Sequence, residues 1–205
     1  TTRGKAQEGE KTMVDAWAPA ARAAREQADA GAGVADVLHA AAEAAAEGAT
    51  NAGAEVRLLS AEEAHVDDME WADVVLFGTP SHYGTIAAGL KTYIDDTGDL
   101  WRAGRLADKV YGAFVSSAST HGGQETTLTN FTTIFTHWGG IIVPPGFTSA
   151  VPVEEQMRSG NPHGAGHVAG FGKPPTQFAL DAARYQAARA VKVADRLTTA
   201  ADAVS

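Results

Sequence analysis

The chain has no cysteine. That absence excludes disulfides, thiolate-bound zinc, iron–sulfur clusters and thiol catalysis together, and it fits a cytoplasmic protein. Long apolar runs are also lacking, since no stretch nears the roughly 20 residues that a membrane-spanning helix needs. The opening TTRGKAQEGEKT has no apolar centre and does not read as a secretory signal. Positive charge is scarce: 16 Lys and Arg stand against 25 Asp and Glu, for a net charge of −9. Nucleic-acid backbones and anionic lipid surfaces bind clustered cations, so neither is an expected partner. What is present, 205 residues with 44% hydrophobic and 20% charged, suits one soluble α/β domain with its own core.

The most informative stretch is Trp71–Trp101, WADVVLFGTPSHYGTIAAGLKTYIDDTGDLW. Val74–Phe77 is short and rich in β-branched residues, the pattern of a strand buried on both faces. Gly78-Thr79-Pro80 stops it, Ser81-His82-Tyr83-Gly84 makes a polar and aromatic turn, and Ile86–Ile94 has helical spacing. In an open parallel sheet, ligands bind beyond the carboxyl ends of the strands. A loop with hydroxyls, an imidazole and a phenol at such a point suits a flat cofactor with polar edges.

Around this stretch the chain alternates. Thr1–Thr12 reads as a polar tail and residues 14–30 as Ala-rich and helical, broken by Gly31-Ala32-Gly33. Val34–Ala49 is predicted as a helix with Val37, Leu38 and Ala41 or Ala42 on its buried face. Strands are predicted at Glu55–Leu59, Lys109–Val115 and Gly140–Val143, with an acidic, helix-prone connector at residues 60–70 and a helix over Thr126–His137. Residues 147–175 read as a long irregular segment, of the kind that is functional or an interface element. Phe178–Thr199 closes the chain as a helix burying Ala179, Ala182, Ala183, Ala187, Val191 and Ala194. Strands alternating with helices give a doubly wound parallel sheet, with residues 1–30 an atypical segment and 31–200 a single domain.

Three loops follow predicted strands and can share one crevice: Thr79–Gly84, Ser116–Glu125 and Pro144–Thr148. In the second, small hydroxyl residues and Gly122-Gly123 let backbone N–H groups approach a ligand closely. The same residues also read as an ordinary capped turn. His82 and His121 sit in candidate loops, whereas His137 suits a helix C-terminus or a packing role as well as a site. Trp101 reads as core or as a pocket rim. No metal is expected, because His163/His167 and His65 with Asp67 and Asp68 lack a ligating spacing. No G-x-S-x-G elbow supports hydrolysis.

Gly78-Thr-Pro-Ser-His-Tyr-Gly84, Asp95–Trp101 (DDTGDLW), Gly122-Gly-Gln-Glu-Thr-Thr127, His137-Trp-Gly139 and Gly160-Asn-Pro-His-Gly-Ala165 together resemble the WrbA family, the flavodoxin-like type IV NAD(P)H:quinone oxidoreductases. The resemblance covers about residues 34–197 and extends to Ala183-Arg-Tyr-Gln186. It implies a five-stranded parallel sheet in the order 2-1-3-4-5, FMN held without a covalent bond, NAD(P)H as reductant, and two-electron, ping-pong hydride transfer to a quinone. It also implies a homotetramer, or at least a dimer, whose neighbouring subunits complete each site.

Carried over by motif, Thr79, Pro80, Ser81, His82, Tyr83 and Gly84 would border the flavin ring. Ser116, Ser117, Ala118, Ser119, Thr120, Gly122 and Gly123 would wrap its other side and the ribityl chain. His137 would enter from a neighbour as the catalytic and substrate-binding group, with Trp101 as a wall of the substrate cavity.

The chain departs from the family pattern in four places. His82 stands where the family carries Arg, and Asp99 where it has Gly. The phosphate-binding turn maps to Ala30-Gly31-Ala32-Gly33, and the central first strand, due near Ala21–Asp29, meets ARAAREQAD, which is no buried strand. The first strand is therefore expected to be atypical or missing, or supplied from elsewhere. Two other functions stay open: a non-catalytic scaffold or regulator with weak or lost FMN binding, and a one-electron carrier, which the Phe147–Pro175 insertion disfavours.

Overall fold

The computed structural model describes residues 11–16, 32–148, 153–170 and 173–202. Five parallel strands form the sheet: β1 (Lys11–Ala16), β2 (Glu55–Leu59), β3 (Val74–His82), β5 (Val110–Ser117) and β6 (Ile141–Ile142), with β4 (Thr85–Ile86) added antiparallel to β3. The spatial order β2-β1-β3-β5-β6 is the expected 2-1-3-4-5.

The central strand is present, and it spans the junction between the segment read as a tail and the one read as a helix. Lys11–Asp15 pair with Glu55–Leu59 on one side, and Thr12–Ala16 pair with Val74–Gly78 on the other. KTMVDA alternates polar and apolar residues too weakly to announce a central strand. Hydrogen bonding to a neighbour on each edge overrides that local pattern. The helix predicted over residues 14–30 is thus strand at 14–16. Its remainder, together with the strand sought near Ala21–Asp29, lies outside the described residues.

Helices cover both faces. α1 (Ala32–Asn51) and α7 (Gln177–Asp202) pack on one side with Leu38, Ala42, Val74, Leu76, Val110 and Phe114. Ala41 is partly buried beside them, and the Val37 side chain lies outside those described. Along α7 the expected alanines and Val191 are buried, Ala182 only in part. Gly48 lets the two helices meet backbone to backbone, because a Cβ there would lie 2.2 Å from the Arg184 carbonyl oxygen.

The other face carries α2 (Val66–Trp71), which begins in the predicted connector and runs one residue past it, then α3 (Ala88–Asp96), α4 (Gly98–Arg102) and α5 (Gln124–His137). Phe77 of β3 stacks on Phe131 and Phe135 of α5 at 5.8 and 6.0 Å, and Tyr111 of β5 stacks on Phe135 at 4.9 Å. Stacked rings add to burial, so α5 is fastened over β3 and β5. That fixes where the loop before α5 must lie.

The segment expected to be irregular is partly ordered. It contains α6 (Val153–Ser159) and β7 (Gly166–Val168). β6 pairs with Val110–Tyr111 and β7 with Val115–Ser117, so both short strands lie along one edge of β5. The insertion leaves the sheet after β6 and returns beside the carboxyl end of β5.

Candidate functional site

β3 does not stop at Gly78-Thr79-Pro80 but runs on to His82. Its partner β1 ends opposite Gly78, and beyond that point one edge is unpaired among the described residues, where proline is tolerated. Ser81 then pairs with Ile86 and His82 with Thr85, leaving Tyr83-Gly84 as a two-residue turn with φ of +52° and +78°. Positive φ at both positions matches the right-handed twist of a tight hairpin. The turn leaves the Tyr83 ring fully exposed.

β5 runs beside β3, with Ser116 opposite Pro80, so the two chains leave the sheet together. Ser81 Oγ donates to the Gly122 carbonyl at 2.7 Å and lies 2.9 Å from Thr127 Oγ1. Thr127 Oγ1 also donates to the Gly123 carbonyl at 2.9 Å, so the two hydroxyls tie both glycine carbonyls to β3. Gly123 caps α5 at φ +83°, and a Cβ on it would lie 2.5 Å from Gly84 Cα. The two predicted loops therefore touch through their glycines, as one clasp.

Within the second loop the two serines face opposite ways. Ser117 Oγ donates to the Ser119 carbonyl at 2.8 Å and accepts from Gln124 Nε2 at 2.7 Å. Ser116 is 1% exposed and its hydroxyl has no hydrogen-bond partner among the described residues. It opens into a hollow of about 10 Å³ lined by Leu38, Phe114, Gly166 and His167. Ala118, Ser119, Thr120 and His121 are exposed.

Thr79 is fully buried. Its hydroxyl accepts from the Ala87 N–H at 3.1 Å and donates to the Pro80 carbonyl at 3.0 Å, so it builds the turn rather than facing a ligand. Pro80 is buried as well. His82 is half-buried, and burial lowers its pKa, which keeps the ring neutral near pH 7. A neutral imidazole does not replace the fixed charge of a guanidinium.

The third predicted loop, Pro144–Thr148, is not part of this crevice. It leaves the sheet at the level of Tyr111 and joins the insertion, where Thr148 Oγ1 donates to Tyr185 Oη at 2.8 Å. β7 takes its place, with His167 opposite Ser116. Residue patterns missed this wall because Gly166-His167-Val168 is too short to read as a strand. They also missed Gln124, whose amide joins Ser117 to the His167 carbonyl at 3.0 Å. Its setting in the G-G-Q-E run was the available signal.

Trp101 and His137 lie together but elsewhere. Trp101 is half-exposed, a rim residue and not core, and its indole N–H donates to the His137 carbonyl at 2.9 Å. With Lys91, Ile94, Asp95 and Thr97 they line a cleft of about 230 Å³. α5 carries Gly123 at its start and the exposed His137 at its end. At 1.5 Å per residue the two are about 20 Å apart. A single chain does not bring His137 to its own clasp.

The residues present fit a flavin in two respects. The buried Ser116 hydroxyl at the strand end lacks a hydrogen-bond partner among the described residues, and Gly84 and Gly123 bring the backbones of the two strand-end loops into contact. Of the phosphate turn, Ala30 and Gly31 lie outside the described residues, while Gly33 sits in the first turn of α1, which carries no acidic side chain. Helix starts of that kind accept anions. Among the described residues no cluster of three or more His, Asp or Glu could hold a metal, and no helix is long and apolar enough to cross a membrane.

Comparison with known proteins adds independent findings. Residues 20–154 match the family described as NADPH-dependent FMN reductase. A protein named NAD(P)H dehydrogenase (quinone) from Sinorhizobium fredii is 37% identical over 178 residues, covering 75% of this chain and 89% of that protein. Its namesake from Trichlorobacter lovleyi is 39% identical over 138 residues, covering 66% and 68%. A WrbA-like flavodoxin from Agrobacterium tumefaciens superposes with a TM-score of 0.62 at 23% identity, over 91% of this chain and 98% of that one. A Megasphaera elsdenii flavodoxin gives 0.57 at 16% identity, over 88% and 98%. These last two likenesses bear on the fold, which is flavodoxin-like.

Proposed function

Because the chain belongs to the NADPH-dependent FMN reductase family, we propose that it is an NAD(P)H:quinone oxidoreductase of WrbA type, using FMN, in the cytoplasm. The observation that carries this reading is the Ser81–Gly122 contact at 2.7 Å, which joins the β3 and β5 loops at the sheet's carboxyl edge. FMN, when bound, supplies a hydride acceptor and donor that serves NAD(P)H and quinone in turn. The balance is NAD(P)H, one proton and a quinone giving NAD(P)⁺ and a hydroquinone.

The chain's own residues bind and orient. Backbone N–H groups of the Ser117–Gly123 loop would hold the ring's carbonyl edge, where preorganised donors stabilise negative charge without reorganising. Ser81, His82, Tyr83 and Gly84 would border the ring, and the exposed Ser119 and Thr120 would meet the ribityl chain. Thr79 and Pro80 support that border from beneath. The mixed polar and apolar cleft at Trp101 suits a flat substrate.

Since His137 lies about 20 Å along α5 from its own clasp, it would act on the crevice of another copy, in a dimer or tetramer. The outer face of α5 suits such a contact. Thr129, Thr133 and Thr136 turn their hydroxyls back to helix carbonyls, leaving methyl groups outward. Within the assembled site His137 would hydrogen-bond the quinone oxygen.

The rival reading, a non-catalytic scaffold, draws support from the neutral His82. Oxidation of NADH or NADPH in the presence of FMN and benzoquinone separates the two. Turnover well above that of free FMN is expected, and none would overturn the enzymatic reading.

A further inference from the structure

We infer that Gln124 is a positioning residue that locks the Ser117–Gly123 loop to the returning edge of the insertion, so that the insertion sets the shape of the cofactor loop. The inference rests on the flavin reading above and extends it to residues to which nothing so far gives a role.

Gln124 is the first residue of α5 and is nearly buried, at 8% exposure. Its Nε2 has two protons and uses both. One goes to Ser117 Oγ at 2.7 Å and one to the His167 carbonyl at 3.0 Å. Because a backbone carbonyl only accepts, Nε2 must be the atom facing His167. Ser117 Oγ then has its own proton free for the Ser119 carbonyl at 2.8 Å, which also receives the Gly122 N–H at 2.9 Å. The relay runs from β7 through one amide into the turn of the loop. No other side chain among those described links these three segments by hydrogen bonds.

Gly166 completes the lock. A Cβ there would lie 2.5 Å from Gln124 Oε1, with the next atoms at 3.5 and 3.7 Å. Gly166 is not in the left-handed region, so alanine suits its backbone. The absent methyl thus makes room for one atom of one side chain. A substitution at Gly166 should act on the loop only by displacing the Gln124 amide.

The test compares Gln124→Ala, Gln124→Glu, Gly166→Ala and the double variant Gln124→Ala/Gly166→Ala. Gln124→Glu keeps the volume but turns an acceptor toward the His167 carbonyl, and it serves if the alanine variant folds poorly. FMN affinity is read by fluorescence quenching, and amide exchange of residues 117–123 is read on the protein without FMN. Each single variant should weaken FMN by about tenfold or more, since buried groups lose their partners. Each should also speed exchange of the loop by a similar factor. Gly166→Ala should add nothing in the Gln124→Ala background. Unchanged FMN affinity and loop exchange in a folded variant, with or without a lower melting temperature, would overturn the inference, as would additive damage in the double variant. A parent protein that takes up no FMN would overturn the flavin reading instead, and loop exchange would still decide the role of Gln124.

Discussion

Gly123 holds two constraints in one residue. Its φ of +83° is left-handed, and a methyl there would sit 2.5 Å from Gly84 Cα. Left-handed geometry alone costs an L-residue about 1–2 kcal/mol, and the second contact is backbone on both sides, so neither partner can turn away. Gly123→Ala is therefore expected to open the clasp. Titration with FMN should show affinity lowered at least about tenfold, with a lower melting temperature. His82 and His167 give the pH dependence. Burial lowers the pKa of each, the Lys173 carbonyl opposing the shift slightly for His167. The unfolded chain then takes up protons at higher pH than the folded one, so stability is full above the ordinary histidine value near 6.5 and falls as pH drops through it toward the folded values. Melting curves between pH 7.5 and 5 should show that loss, and replacing either histidine with Gln should flatten it. At this scale the site residues were legible as types but not as orientations. Ser116 and Ser117 look alike in sequence, and only the strand's alternation sends one to α5 and the other to the hollow beside α1.

Among the elements, β3, β5 and the C-terminal helix were legible because their apolar runs and small-residue faces match their burial on every turn. β1 was not, since KTMVDA acquires its strand character from two neighbours far along the chain. β7 was hidden for a similar reason: three residues gain their meaning from pairing with Val115–Ser117. The α1–α7 contact makes a prediction that helix propensity gets wrong. Exposed Gly→Ala in a helix stabilises by about 1 kcal/mol, yet a Cβ on Gly48 would meet the Arg184 backbone at 2.2 Å. Overpacking of this kind costs about 1–3 kcal/mol. Gly48→Ala should thus lower the melting temperature while FMN affinity in the folded protein stays unchanged.

For the whole molecule, the separation between the clasp and the Trp101–His137 cleft decides how a site is completed. If His137 serves another copy, two defective chains should complement each other. A Gly123→Ala chain lacks a working crevice but keeps His137, and a His137→Ala chain keeps its crevice. Co-expressed, they should form mixed assemblies with quinone reductase activity well above either alone, measured after tandem-tag purification. Activity no greater than the average of the two parents would place His137 outside the reaction.

The claim beneath all of this is that the Ser81–Gly122 crevice binds a flavin, and one titration addresses it. Stripped protein added to FMN should quench the flavin's fluorescence to an endpoint of one FMN per chain, and Gly123→Ala should shift that curve to much higher concentration. Fluorescence that stays constant across an excess of folded parent protein would contradict the account.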